Sequence, residues 1–142
     1  MDKTTRVNTI MTTNVITVAP NDPMDKVQAI FEGTDIHHLP VIENSKIVGI
    51  LSYSDYLRLQ NSFTLFNVEL GEHRQIILMQ FLLVKDVMTH QVAKLGPHDT
   101  VEIAAGYFRE NRFHALPVVD SEGILIGMLT TYDLLAFVFS DN

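Results

Sequence analysis

Hydrophobic and polar positions along this chain change period in a set order, and that order occurs twice. The β-branched run Val15-Ile16-Thr17-Val18, closed by Pro20, predicts a strand. Met24, Val27, Ile30 and Phe31 follow at helical spacing, so a helix is predicted with Asp22 as N-cap and Pro23 at its first position. Two apolar runs, Leu39–Ile42 and Ile47–Leu51, then predict strands joined by the polar turn Glu43-Asn44-Ser45-Lys46. Their unbroken hydrophobicity predicts cover on both faces. A last helix is predicted from Ser52, carrying Tyr56 and Leu57. On the second pass Asp99 is the expected cap, with Glu102 three residues on, and Val101, Ala104, Ala105 and Phe108 form the apolar stripe. The closing helix is then predicted from Thr130, with Leu134 and Leu135.

The two passes share letters as well as pattern. Val7 through Glu43 aligns with Val84 through Asp120 at an offset of 77, with 11 of 37 positions identical, which marks an internal duplication. Gly49-Ile50-Leu51-Ser52-Tyr53-Ser54-Asp55 returns as Gly127-Met128-Leu129-Thr130-Thr131-Tyr132-Asp133, now at an offset of 78. The one-residue slip falls in the polar turns, where insertions are tolerated. The predicted organisation is repeat 1 over 5–60, a connector over 61–81 and repeat 2 over 82–138. Within the connector a break is expected at Asn61-Ser62-Phe63-Thr64 and a helix over Glu72 to Leu83.

Composition narrows the class. The chain has 142 residues, 46% of them apolar, enough for a buried core. Its longest apolar run, Ile76 to Val84, is broken by Gln80 and is too short to cross a bilayer. Met1-Asp2-Lys3-Thr4 leads into no apolar segment, so no signal peptide is expected and the cytoplasm is the expected compartment. With no cysteine there is no thiol nucleophile, disulfide or thiolate zinc site. A net charge of −7, with ten Lys and Arg spread thinly, argues against a nucleic-acid surface.

The duplicated Leu-Pro-Val strand at Leu39 and Leu116, the Gly-hydrophobic-hydrophobic-Ser/Thr-x-x-Asp element, and the openings Val7 to Thr12 and Val84 to Thr89 resemble cystathionine-β-synthase (CBS) domains. The resemblance implies a stand-alone pair, or Bateman module: an α/β (α+β) fold of two β-α-β-β-α repeats packed about a pseudo-twofold axis. It further implies a regulatory, non-catalytic module binding adenosine nucleotides (AMP, ADP or ATP) in clefts between the repeats. A homodimer formed through helical faces is expected, with Met24, Phe31, Phe108 and Leu135 as candidate contacts, and an unidentified protein target is a further implied partner.

The candidate chemistry lies at Ser52-x-x-Asp55 and Thr130-x-x-Asp133. The first N–H groups of a helix carry partial positive charge and suit a phosphate, which a hydroxyl augments. A carboxylate beside them accepts hydrogen bonds from the 2′,3′-diol of a ribose. The same spacing also describes a plain capping pair, with hydroxyl and carboxylate both serving the helix. By resemblance, one cleft would use Ser52, Ser54, Asp55 and His37, facing Val92, Ala93, Phe113 and His114. The other would use Thr130, Tyr132, Asp133 and His114, facing Val15, Ile16, Ile36 and His37. Tyr132 is bulkier than Ser54 and narrows the second. Lys94 and Arg112 stand where repeat 1 has Thr17 and Asp35, so the Asp55 cleft is expected to be the tighter for charged nucleotides.

No metal site is expected. His37, His38 and His114 stand near strands, where histidine is usually a structural hydrogen-bonder, and Glu72-His73 lacks the second histidine of H-E-x-x-H. A phosphate-facing role suits His37 and His114 better. The chain has no P-loop, nucleophile elbow or G-x-G-x-x-G, and no enzymatic activity is expected. The alternative to nucleotide binding is a dimerisation or interaction module with degenerate clefts.

Overall fold

The fold described is a computed structural model covering residues 2–66 and 72–140. Its elements run α1 (Met24–Gly33), β1 (His38–Glu43), β2 (Lys46–Ser52), α2 (Tyr53–Phe66), α3 (Glu72–Phe81), α4 (Val84–Val87), α5 (Val101–Arg109), β3 (Ala115–Val119), β4 (Leu125–Thr130) and α6 (Thr131–Val138). Helix and strand are mixed as the pattern requires, with two small antiparallel sheets, β1–β2 and β3–β4.

The hairpins show why the offset slips by one. Glu43 pairs with Lys46, leaving a two-residue loop in which Asn44 and Ser45 both take positive φ, 52° and 67°. Such a turn matches the strand twist and is tolerated by Asn. In the other hairpin the Asp120 N–H donates to the Ile124 carbonyl at 2.9 Å, and Gly123 supplies the positive φ (82°). Asp120 Oδ1 also accepts from the Glu122 and Ile124 N–H groups, closing the longer loop. Both hairpins carry a register shift at matching places, Val41/Ile42 and Val118/Val119.

The chain divides into two compact units that cut across the repeats. One contains residues 1–15 and 92–142; the other contains residues 16–91. The openings of the repeats have changed places. In the 16–91 unit Thr89 bridges to Ile50 of β2 through two backbone hydrogen bonds of 2.9 and 3.0 Å, and the Val84 N–H reaches the Asp22 carbonyl at 2.8 Å. In the other unit Thr12 bridges to Met128 of β4 with two bonds of 2.9 Å, and the Val7 N–H reaches the Asp99 carbonyl at 2.8 Å. Close approach makes this exchange possible. A Cβ on Gly49 would run into the Met88 side chain and the Thr89 carbonyl, and one on Gly127 would run into Met11. The Met of each opening therefore lies against the Gly of the other repeat's second strand.

Each unit has its own core. In the 16–91 unit it includes Met24, Val27, Leu39, Val41, Leu51 and Tyr56; in the other it includes Val7, Leu95, Leu116, Val118 and Leu129. Met24 and Phe31, expected as dimer contacts, are buried inside, because the α1 stripe faces its own sheet. Phe108 packs partly against the other core.

Four local expectations differ from the structure. Val15–Val18 forms no strand; only Val18 pairs, as a single parallel bridge to Val41, and Leu95 does the same with Val118. Asp22 and Asp99 are not the helix caps. Each accepts a backbone N–H three residues before it, from Ala19 and Gly96, at 2.8 Å, and α1 and α5 start one residue later than expected, after Pro23 and Thr100. Thr100 Oγ1 accepts the Ile103 N–H at 3.3 Å. The expected break at Asn61-Ser62-Phe63-Thr64 is absent, and α2 continues to Phe66, since one Asn and one Ser lack the Pro or Gly that stops a helix. The following helix, expected over Glu72 to Leu83, ends at Phe81.

Tyr56 gives the 16–91 unit a polar anchor in its core. Its hydroxyl donates to Glu32 at 2.9 Å and accepts from Gln60 at 2.6 Å, while the ring is buried against Phe31. Burial, with the Glu32 carboxylate as the next cause, pushes the phenol well above its ordinary value. A raised folded value means the stabilisation is complete below the unfolded value of about 10 and is lost as pH rises through the folded one. Denaturant melts above pH 10 should therefore show falling stability, and Tyr56→Phe should remove that part of the slope. An unchanged slope in the variant would exclude Tyr56 as its source.

Candidate functional site

The two hydroxyl–carboxylate pairs form the same structure in each unit. β2 ends at Ser52, whose Oγ accepts the Asp55 N–H at 3.1 Å, while Asp55 Oδ2 accepts the Ser52 N–H at 3.0 Å. β4 ends at Thr130, whose Oγ1 accepts the Asp133 N–H at 3.1 Å, while Asp133 Oδ2 accepts the Thr130 N–H at 3.0 Å. Both are complete capping boxes. The first helical N–H is engaged as well: Tyr53 donates to the His37 carbonyl at 2.8 Å, and Thr131 to the His114 carbonyl at 3.1 Å.

This geometry changes the division of labour at the site. The chain itself already uses part of each helix's N-terminal donor set, so a phosphate finds fewer amides there than a bare helix start offers. The carboxylates keep capacity, because an ionised carboxyl has about four lone-pair positions and one backbone N–H occupies one of them. Asp55 and Asp133 are both half-buried, and the helix start that carries each is tied to the backbone carbonyl of an exposed histidine, His37 or His114 respectively. A half-buried carboxylate with spare acceptor capacity suits a polar, hydroxyl-bearing ligand.

The predicted residues divide between the units. Ile16, Ile36, His37, Ser52, Ser54 and Asp55 belong to residues 16–91; Val15, Val92, Ala93, Phe113, His114, Thr130, Tyr132 and Asp133 belong to the other unit. Around His37 the backbone bond brings an aromatic group together: its ring lies 5.5 Å from that of Tyr53, tilted by 33°, and Tyr53 meets Phe31 edge-on at 5.6 Å. Thr131 replaces Tyr53 in the second repeat, so His114 lacks that stacking partner. Tyr132, expected to narrow its site, is 77% exposed.

Two further residues meet the carboxylates. Arg58 pairs with Asp55 Oδ1 one turn along α2. Thr12 Oγ1 donates to Asp133, 3.3 Å from each oxygen. The Asp55-x-x-Arg58 spacing was readable as a helical ion pair. Thr12 was not, since it is 121 residues from Asp133 in sequence and arrives by the exchange of opening segments. Among the described residues no three His, Asp or Glu side chains are grouped to hold a metal ion, and no helix is long and apolar enough to cross a membrane.

The family model for the CBS domain matches residues 7–62 and again 84–140. The chain belongs to the CBS domain family. Among curated proteins, the CBS repeats are 31% identical to the uncharacterized protein MJ1426 of Methanocaldococcus jannaschii, covering 91% of this chain and 88% of that one. They are 30% identical to an inosine-5′-monophosphate dehydrogenase of Korarchaeum cryptofilum, covering 91% of this chain and 23% of that one. The chain thus spans about a quarter of the curated relatives that head the matches. Among solved structures, the CBS-pair protein CBSX2, from Arabidopsis thaliana, has been seen in complex with AMP. It aligns with a TM-score of 0.76 at 27% identity, covering 94% of this chain and 96% of that one.

Proposed function

We propose that this CBS pair is a regulatory module that binds adenine nucleotides (AMP, ADP or ATP) by their ribose, with Asp55 and Asp133 accepting the diol. The duplicated half-buried carboxylate at a helix start carries the reading, and the likeness to CBSX2, whose structure holds AMP, supports it. Ser52, Ser54 and His37 would accompany Asp55; Thr130, Tyr132 and His114 would accompany Asp133. The ligand regulates by binding one conformation better than another and shifting the population toward it. A cytoplasmic setting, a protein target that senses the shift, and the absence of catalysis complete the proposal.

Calorimetry with AMP and 2′-deoxy-AMP tests it. Loss of one hydroxyl donor to a carboxylate removes about 1.5–3 kcal/mol, so the deoxy ligand should bind about tenfold worse or more. Equal affinity would rule out the diol role.

A second reading, an interaction module without ligand, draws on the completed caps and on α6. Tyr132, Leu135 and Phe139 are 77%, 56% and 76% exposed along one side of that segment. An apolar stripe of this kind is a surface for association. We include a homodimer in the proposal on that ground, with a sedimenting mass near twice 16.0 kDa. A monomer at micromolar concentration, with and without AMP, would exclude it.

A further inference from the structure

Asp55 and Asp133 have matching backbone environments and differ in what meets them from outside. Arg58 places a guanidinium on Asp55, with the two side chains 75% and 16% exposed. The matching position in the second repeat is Ala136, and among the described residues the side chain that meets Asp133 is the neutral hydroxyl of Thr12. One carboxylate therefore has a cationic partner within its own unit, and among the described residues the other has none. We propose that Arg58 is a specificity-determining residue, setting the Asp55 site for 5′-phosphorylated adenosine and leaving the Asp133 site better suited to uncharged adenosine ligands. The inference rests on the reading that both carboxylates hold a ribose.

The physical reason is repulsion within a single ligand. A carboxylate holding the ribose diol lies about 8 Å from the ligand's own 5′-phosphate. Two like unit charges at that separation weaken binding about twofold in bulk water, and more than tenfold in a partly shielded setting. Arg58 cancels this cost at Asp55, and nothing on Thr12 cancels it at Asp133. Arg58 also competes with the diol for the same carboxylate. That competition acts alike on adenosine and AMP, so it drops out of the ratio of their affinities.

The test is that ratio, measured by calorimetry with AMP and adenosine on the full chain carrying Asp133→Asn to silence the second site. Arg58→Gln should lower the preference for AMP over adenosine by about threefold or more at low salt, with a smaller drop at high salt. Arg58→Lys should restore most of the preference. Because Arg58 is largely exposed, far-UV circular dichroism and the melting temperature should match those of the parent. An unchanged ratio in Arg58→Gln, with both ligands still bound, overturns the role of Arg58 and leaves the nucleotide reading standing. Failure of the unmutated chain to bind either ligand overturns that reading and the inference together.

Discussion

Replacing Asp55 and Asp133 together by asparagine is expected to weaken AMP binding about tenfold or more at each site while leaving the fold in place. Asparagine keeps a carbonyl oxygen that can accept the Ser52 or Thr130 N–H, so each capping box stays closed. What is lost is the charged acceptor, and hydrogen bonds to a charged group are worth about 1.5–3 kcal/mol, or tenfold and upward at each site. Asp→Ala at the same positions should cost in addition about 1 kcal/mol of stability per helix, the usual size of a lost capping interaction. The two series separate ligand chemistry from capping. Taken singly, Asp55→Asn should weaken AMP binding more than Asp133→Asn, because its site carries the compensating cation. Undiminished AMP binding by the double asparagine variant would leave both carboxylates as caps alone.

The second large effect is in the cores. Leu51 and Leu129 occupy matching positions of β2 and β4, and both are fully buried. Truncating either to alanine should cost about 2–5 kcal/mol, the sum of lost transfer energy and the remaining cavity. The two should differ within that range. Leu51 lies in a core held to shape by Tyr56, whose hydroxyl is fastened to Glu32 and Gln60, so the cavity persists and the cost lies toward the upper end. The Leu129 core has no such fastened side chain among the described residues, so neighbours such as Ile10, Met11 and Phe113 can move inward. Ile103→Ala, at an exposed position of α5 away from the α6 stripe, should stay within about 0.5 kcal/mol. Urea melts of the three variants give the order directly, and a costlier Leu129→Ala would show that the second core is the more rigid.

What the residues made legible, and what they did not, follows from the range of the interactions. Short-range pattern carried the hairpins, because alternation and turn residues act within a few positions; the one-residue slip even located the difference between the loops. It carried the capping boxes at Ser52 and Thr130 too, since donor and acceptor lie three residues apart. It misplaced the starts of α1 and α5, where Asp22 and Asp99 turned back to the preceding loop, a competition that two equally local hydrogen bonds decide. The β-branched run at Val15–Val18 looked like a strand but found only one bridge, because strand formation depends on a partner that composition does not supply. Thr12 beside Asp133 was out of reach altogether, as was the mutual exchange of opening segments.

That exchange sets the order of manufacture against the order of assembly. Residues 16–91 form one compact unit from a single continuous stretch and can close as soon as they have been made. Residues before them cannot. Val7 is fully buried in the finished protein, yet its backbone partner Asp99 and the β4 strand that receives Thr12 are synthesised only after the whole intervening unit. A stretch of chain made early therefore waits, unpaired, for a stretch made later, with a longer loop to close than any inside residues 16–91. Pulse-labelled hydrogen exchange during refolding should protect the Ile50 amide before that of Thr12; the reverse sequence would show that the waiting segment is in fact the nucleus.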